Sequence, residues 1–273
     1  MTRTATLAWF ARHELRLAWR EWLSMITAGR RRRTRVAIIG LLLFGAIMHL
    51  PAWVVVGRYA DLRPPLDKTA LIVITATIML SWALMLSQAI ESVTRVFYAR
   101  ADLDLIMSSP VRLAEIFSVR IAAIALSVTS MALLLATPFV DILLIEGGLR
   151  WLAVFVVVAA VGLTAAAIAI AITIVLFRLI GPARTRLVAQ ILAAVIGAGF
   201  VIVLQIAAIV SYGTLSRFAV LTSDAAAAIA PDPDSLIWLP ARAALGDGQA
   251  LLILLATGPV SYTHLTLPTI CSV

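Results

Sequence analysis

ADLDLIMSSPVRLAEIFSVR, residues 101–120, lies between two long apolar runs and is too polar to cross a bilayer. Asp102 and Asp104 stand just before a Ser108-Ser109-Pro110 break, after which a new helix starts with Arg112, Glu115 and Arg120. The runs on either side, 69–90 and 117–140, each hold the roughly 20 apolar residues that a membrane-crossing helix needs. The stretch is therefore a surface segment between two spans, with Arg120 near enough to the second to snorkel back to the interface.

Composition agrees with that reading. The 273 residues are 62% hydrophobic and 13% charged, with a mean hydropathy of +1.04. A soluble domain is about half apolar and about a quarter charged, so this is an integral membrane protein. The formal charge is +8. The cations cluster beside apolar spans, which makes them a topology signal rather than a nucleic-acid footprint.

Upstream, 4–27 reads as an amphipathic helix. Leu7, Ala11, Leu15, Trp19, Trp22 and Ile26 form one apolar face, and Arg12, Arg16 and Arg20 a basic stripe beside it. Such a helix lies in the interface rather than spanning it. The block Arg30-Arg31-Arg32-Arg33-Thr34-Arg35 then anchors the first span, 36–57, which contains Pro51. Residues 1–35 thus form a cytoplasmic helix and anchor, and 36–259 a transmembrane domain.

Beyond the first span, 58–68 reads as a charged turn. The second and third spans are 69–90 and 117–140, with Pro138 at the far end of the third. A turn follows over 141–150 and a fourth span over 151–177. The segment 178–187 is a basic turn broken at Gly181-Pro182, and the fifth span is 188–212. A polar loop over 213–248, with short interfacial helices, precedes a truncated sixth span from about 249. The expected fold is all-α: a polytopic transmembrane helix bundle with an N-terminal interfacial helix.

Orientation follows from the cations. With the N-terminus inside, nine Lys and Arg of 1–35, four of 91–120 and three of 178–187 face the cytoplasm, sixteen of the 22, and six lie outside. The positive-inside rule selects this arrangement. It places 101–120 in the cytoplasm and the loop after Gly213 outside.

The residues offer little for catalysis. Lys68 is the single lysine and follows Asp67, so no Gly-Lys-Ser/Thr phosphate loop exists. His13-Glu14 opens like a zinc-protease motif, but Leu17 stands where the second histidine belongs. His49 stands alone in the first span, and neither a metal, a cofactor nor an enzyme site is expected. The spans are nearly free of ionisable groups; Gln88, Gln190 and Gln205 are their main polar side chains, suited to helix–helix hydrogen bonds. Gly162 with Ala166, and Ala193 with Gly197, permit close helix approach.

The far end reads differently. VSYTHLTLPT, residues 260–269, resembles the translation of a transposase sequencing adapter. A variable index would supply Ile270-Cys271-Ser272, and the next codons Val273 and the stop. The expectation is that 260–273 is not native, that Cys271 carries no chemistry, and that the natural gene continues past Gly258.

The segment 101–126, ADLDLIMSSPVRLAEIFSVRIAAIAL, resembles a recurring element of bacterial type-2 ABC exporter permeases, in which a polar stretch separates the second and third spans. FRLIGPARTRLVAQ (177–190) and SLIWLPARAALGD (235–247) resemble the same family, and the N-terminal helix resembles its interfacial elbow helix. The resemblance implies a permease subunit of the bacterial inner membrane, N-terminus cytoplasmic. It also implies alternating access driven by a separate ABC ATPase subunit, with a second permease copy or a missing half of the same chain completing the pathway. Membrane lipid is a partner and nucleic acid is not. The implied ATPase contact falls on Asp102, Asp104, Ser108, Ser109, Pro110 and Arg112. Leu103, Ile106 and Met107 join it as an apolar edge at three- and four-residue spacing. A secondary transporter or a non-transporting scaffold is the alternative reading.

Overall fold

Four helical stretches carry the computed structural model, which describes residues 34–63, 67–98, 113–214, 216 and 218–257, with the single positions 12, 13, 16 and 20. The expected interfacial helix over 4–27 lies outside the described residues except at those four positions, which are exposed. The tail 260–273 lies outside them altogether.

The main helices are α1 (Thr34–Val56), α2 (Lys68–Tyr98), α3 (Leu113–Gly147) and α4 (Ala153–Tyr212). The stretches long and apolar enough to cross a membrane are Ile38–Tyr59, Lys68–Arg95, Ile121–Gly147 and Leu149–Ser211. Among the described residues there is no strand. The chain is an all-α, multi-pass membrane protein.

The 60 residues of α4 include Gly181 at φ 72, ψ 169, which is not helical. A straight helix of that length would run about 90 Å, three times the hydrocarbon thickness. Contacts with α2 show that the chain instead reverses there. Ile74, near the start of α2, packs on the cluster of Ala60, Leu143, Trp151 and Leu245, and Tyr98, at its end, stacks on Phe177 at 5.7 Å. The first limb of α4, 153–180, therefore runs parallel to α2. In the second limb, 182–212, the order is inverted: Arg186 meets Tyr98, and a Cβ at Gly197 would lie 3.2 Å from that of Ser87. The two limbs are antiparallel, hinged on Gly181. Pro182 suits the start of the second limb, where its missing N–H would be unpaired anyway.

This reversal is tighter than the basic turn expected over 178–187, because Arg178 still belongs to the first limb and Arg184 and Arg186 to the second. The turn expected over 141–150 shrinks likewise. α3 continues through Pro138, Asp141 and Glu146 to Gly147, and the chain reverses at Gly148 (φ 86) followed by a 3-10 turn, Leu149–Leu152. The physical reason is that Asp141 and Glu146 find partners on α1, so their charge does not end the helix. α2 also extends past its expected end, through Glu91 and Arg95 to Tyr98.

The core is built on small residues. Ala89, Ala165 and Ala169 are wholly buried and pack with Ile90, Val93, Ile170 and Ala193. Gly162 faces Thr129 and Gly197 faces Ser87, so two positions expected to permit close approach do so. Between helices in lipid, this close packing replaces the hydrophobic drive available in water. α1 is the exception: 6% of its spanning window is buried, against 50% for Leu149–Ser211. It lies at the edge of the bundle.

The expected loop after Gly213 forms a docked cap. It holds α5 (Phe218–Leu221), α6 (Asp224–Ile229), a 3-10 turn at Leu236–Trp238 and α7 (Leu239–Ala244). Ser223 caps α6, its hydroxyl accepting from the Ala226 amide at 3.2 Å. Trp238, Ala241, Ala243 and Ala244 are buried in the bundle rather than lying in the interface. α8 (Gly248–Thr257) leaves at 112° to the preceding helical segment, Leu236–Ala244.

Candidate functional site

The two ends of the bundle differ in charge. One end carries Arg35, Arg95, Arg178, Arg184 and Arg186, together with the Gly181 hinge and the end of α2. The other carries the Gly148 turn, the cap and most of the carboxylates.

At the basic end, α2 is pinned to the tip of the α4 hairpin by one side chain. The Tyr98 hydroxyl donates to the Pro182 carbonyl and accepts from the Arg186 amide at 3.1 Å. In an uninterrupted helix that amide would pair with that carbonyl. The phenol thus contacts both backbone groups that this turn of the second limb would pair. The ring of Tyr98 stacks on Phe177, the last part of the first limb. One residue therefore touches both sides of the hinge.

Beside this pin lies a cleft of about 280 Å³ lined by Glu91, Thr94, Arg95, Tyr98, Arg186 and Gln190. Glu91 and Arg95 pair at 2.8 Å across one helical turn. The Thr94 hydroxyl is buried with no hydrogen-bond partner. Polar and charged residue types line it in a bundle otherwise packed with alanine, beside the end of α2. The contact residues expected from sequence, Asp102, Leu103, Asp104, Ile106, Met107, Ser108, Ser109, Pro110 and Arg112, lie outside the described residues. Their lead-in, Glu91 to Tyr98, is helical and forms one wall of the cleft. Of the glutamines singled out in the spans, Gln190 lines the cleft and Gln88 is exposed.

A second polar constellation lies at the opposite end and was not expected. His49 does not stand alone: its Nδ1 lies 2.8 Å from the Gly45 carbonyl and its Nε2 3.4 Å from Asp141 Oδ2 on α3. One turn on, the Trp53 indole donates to Glu146 at 2.6 Å. Next, Arg150 Nη2 and the Trp151 indole both donate to the Ala60 carbonyl, at 2.5 and 3.2 Å. These contacts fasten the edge helix α1 and its following turn to α3 and to the 3-10 turn after it. Sequence reasoning missed them because the partners are 92 and 93 residues apart. The available signal was His49 and Trp53 one helical turn apart, with the carboxylates Asp141 and Glu146 near the end of a later apolar run. Among the described residues no three His, Cys, Asp or Glu side chains are placed to hold a metal ion.

The chain matches no protein-family profile, no curated protein and no solved structure.

Proposed function

We propose that this chain is the membrane-spanning permease subunit of an ATP-driven ABC exporter, set in the bacterial inner membrane with its N-terminus in the cytoplasm. A separate ATPase subunit supplies the energy. The sequence resemblance over 101–126, 177–190 and 235–247 supports this reading, and so does the sequence count that puts sixteen of the 22 Lys and Arg on the cytoplasmic side. The observation that carries it is the Tyr98 pin. A partner pulling on 101–112 would move the end of α2, and through Tyr98 both sides of the α4 hinge. That linkage is what a permease without its own ATP site needs. The substrate would pass between spans whose packing depends on the hinge.

The test uses the full-length permease with its ATPase, reading pull-down and transport-stimulated hydrolysis together. Ile106→Ala or Met107→Ala should uncouple hydrolysis from transport more than Asp102→Asn. Truncating a buried apolar anchor costs about 2 kcal/mol or more, whereas rim charges contribute modestly. Tyr98→Phe keeps the stack on Phe177 and removes the hydroxyl from the hinge; it should leave the ATPase bound and reduce coupling. Normal coupling in all of these variants would refute the reading. The topology is tested separately, with cysteines at Ser109 and Asp232 in a Cys271→Ser background. An impermeant thiol reagent on intact cells should label position 232 and spare 109; the reverse pattern overturns the orientation.

The His49–Asp141 pair favours a second reading, a secondary transporter, because ionisable pairs at membrane depth often serve ion pathways. Transport in sealed vesicles separates the two. Collapse on ATP depletion supports the exporter, and collapse with a protonophore at constant ATP supports the alternative.

A further inference from the structure

α2 and the second limb of α4 meet closely at two places, Ser87 against Gly197 and Tyr98 against Pro182. Between them lies about 16 Å of α2, and here the cleft of about 280 Å³ opens, lined by Glu91, Thr94, Arg95, Tyr98, Arg186 and Gln190. Its lining carries one carboxylate and two guanidinium groups. Glu91 and Arg95 offset each other at 2.8 Å. Among the described residues no carboxylate pairs with the Arg186 guanidinium. The lining is therefore left with one positive charge.

Thr94 is the buried member of that lining. It is 4% exposed, and its hydroxyl has no hydrogen-bond partner. Thr77, Thr137, Thr173 and Thr185 return their hydroxyls to the carbonyl four residues back. A helical threonine divides between two χ1 wells because of that bond; with it unmade, the Thr94 hydroxyl is available to a ligand in the cleft. Gln190 adds a carboxamide that can donate. A guanidinium, a hydroxyl and an amide thus surround a space slightly smaller than the roughly 300–1,000 Å³ that drug-sized ligands occupy. A single anionic group of headgroup size fits this set, and the planar guanidinium fork matches phosphate. Leu187 and Ile191, each one residue beyond Arg186 and Gln190, are exposed. They place an apolar strip beside the polar lining, on which an acyl chain can lie.

We propose that this cleft binds the headgroup phosphate of an anionic phospholipid, with Arg186, Thr94 and Gln190 as donors and the acyl chains along Leu187 and Ile191. Basic pockets between spans recognise such headgroups. A zwitterionic lipid fits less well, because Glu91, the carboxylate in the lining, is already held by Arg95 and leaves an ammonium nothing to pair with. A lipid bound there bridges α2 and the second limb beside the Gly181 hinge. The site goes beyond the exporter reading and holds whichever energy source drives the protein, so its failure leaves that reading intact.

The experiment takes the full chain, stripped of lipid in mild detergent, and titrates it with phosphatidylglycerol or with phosphatidylcholine of the same acyl chains. Bound lipid is counted by native mass spectrometry. Phosphatidylglycerol should bind about tenfold or more tighter than phosphatidylcholine. Arg186→Gln should weaken its binding by about tenfold or more, and Thr94→Val by about two- to tenfold. Arg184→Gln removes an equal charge from an exposed position on the same limb outside the lining and should leave the affinity unchanged. Without lipid, Thr94→Val should melt no lower than the parent, because it removes a buried hydroxyl that has no partner; a purely structural Thr94 would not weaken binding while keeping stability. Inorganic phosphate at the lipid's concentration should not displace phosphatidylglycerol, which separates a lipid site from one for free phosphate. The inference is overturned if the two lipids bind alike, if Arg184→Gln weakens binding as much as Arg186→Gln, if either Arg186→Gln or Thr94→Val keeps the parent affinity, or if inorganic phosphate displaces the lipid.

Discussion

Gly147→Ala should be among the most damaging single-methyl additions in this bundle. Gly147 is the last residue of α3 and packs against the turn that follows α1. A Cβ built there falls 2.5 Å from the Ala60 carbonyl oxygen and 2.7 Å from Trp151 Cδ1, where ordinary contact begins at 3.4 Å. The shortfall of about 0.9 Å is against backbone, which cannot rotate away, and against an indole that is 4% exposed. Overpacking of this kind costs about 1–3 kcal/mol. The displaced oxygen is also the acceptor for Arg150 Nη2 and the Trp151 indole, and a hydrogen bond to a charged group contributes about 1.5–3 kcal/mol. Some of that returns when Arg150 finds water at the exposed end. A net loss of about 2–4 kcal/mol is expected, or roughly 30- to 1000-fold in the folded fraction. Tryptophan fluorescence of the purified protein in mild detergent reads both the stability and the environment of Trp151. Unfolding within about 0.5 kcal/mol of the parent, the usual range of a neutral surface change, would refute the reasoning.

Gly162→Ala should cost about 1–3 kcal/mol, since its Cβ would lie 3.2 Å from Thr129 Cβ and closer still to the hydroxyl. That hydroxyl is buried without a partner, so Thr129→Ala in the same chain should recover most of the loss; a double mutant no better than the single would show the contact misjudged. Asp247, outside the four spanning stretches, caps α8, accepting from the Ala250 and Gln249 amides at 3.1 and 3.0 Å. The Ala250 hydrogen bond first, then the Arg242 guanidinium, holds its carboxyl below the usual range against some burial. Its contribution is therefore complete above the ordinary carboxylate value and lost as pH falls through the lowered one. Asp247→Ala should cost about 0.5–2 kcal/mol at neutral pH and flatten the acid limb of a melting-temperature profile; an unchanged acid limb would contradict this.

The helical class and the long apolar helices were legible because apolar runs of this length have one stable form in lipid. Gly181-Pro182 was legible as a break, since one residue adopts a φ that others avoid and the next lacks an amide hydrogen. The ends of the helices were harder. Asp141, Glu146 and Glu91 look like loop residues when only their neighbours in sequence are considered. Each remains helical because a partner elsewhere, or one turn along, takes up its charge. The Tyr98 pin was hidden for the same reason. Nothing in YAR at 98–100 says that the phenol will enter the first turn of a helix 84 residues later. The burial of Ala241, Ala243 and Ala244 was also beyond reach, because alanine is at home on either side of a surface.

The long reach of the contacts that hold α1 bears on how the protein is made. A ribosome adding about 5–20 residues per second exposes the first span to lipid well before Asp141 and Glu146 exist. For several seconds or more His49 and Trp53 have no partners on α3, and α1 must persist as a solitary helix on its own hydrophobicity. Its apolar surface, broken only by His49 between Ile38 and Val56 and wasteful in a finished bundle, is what lets it wait.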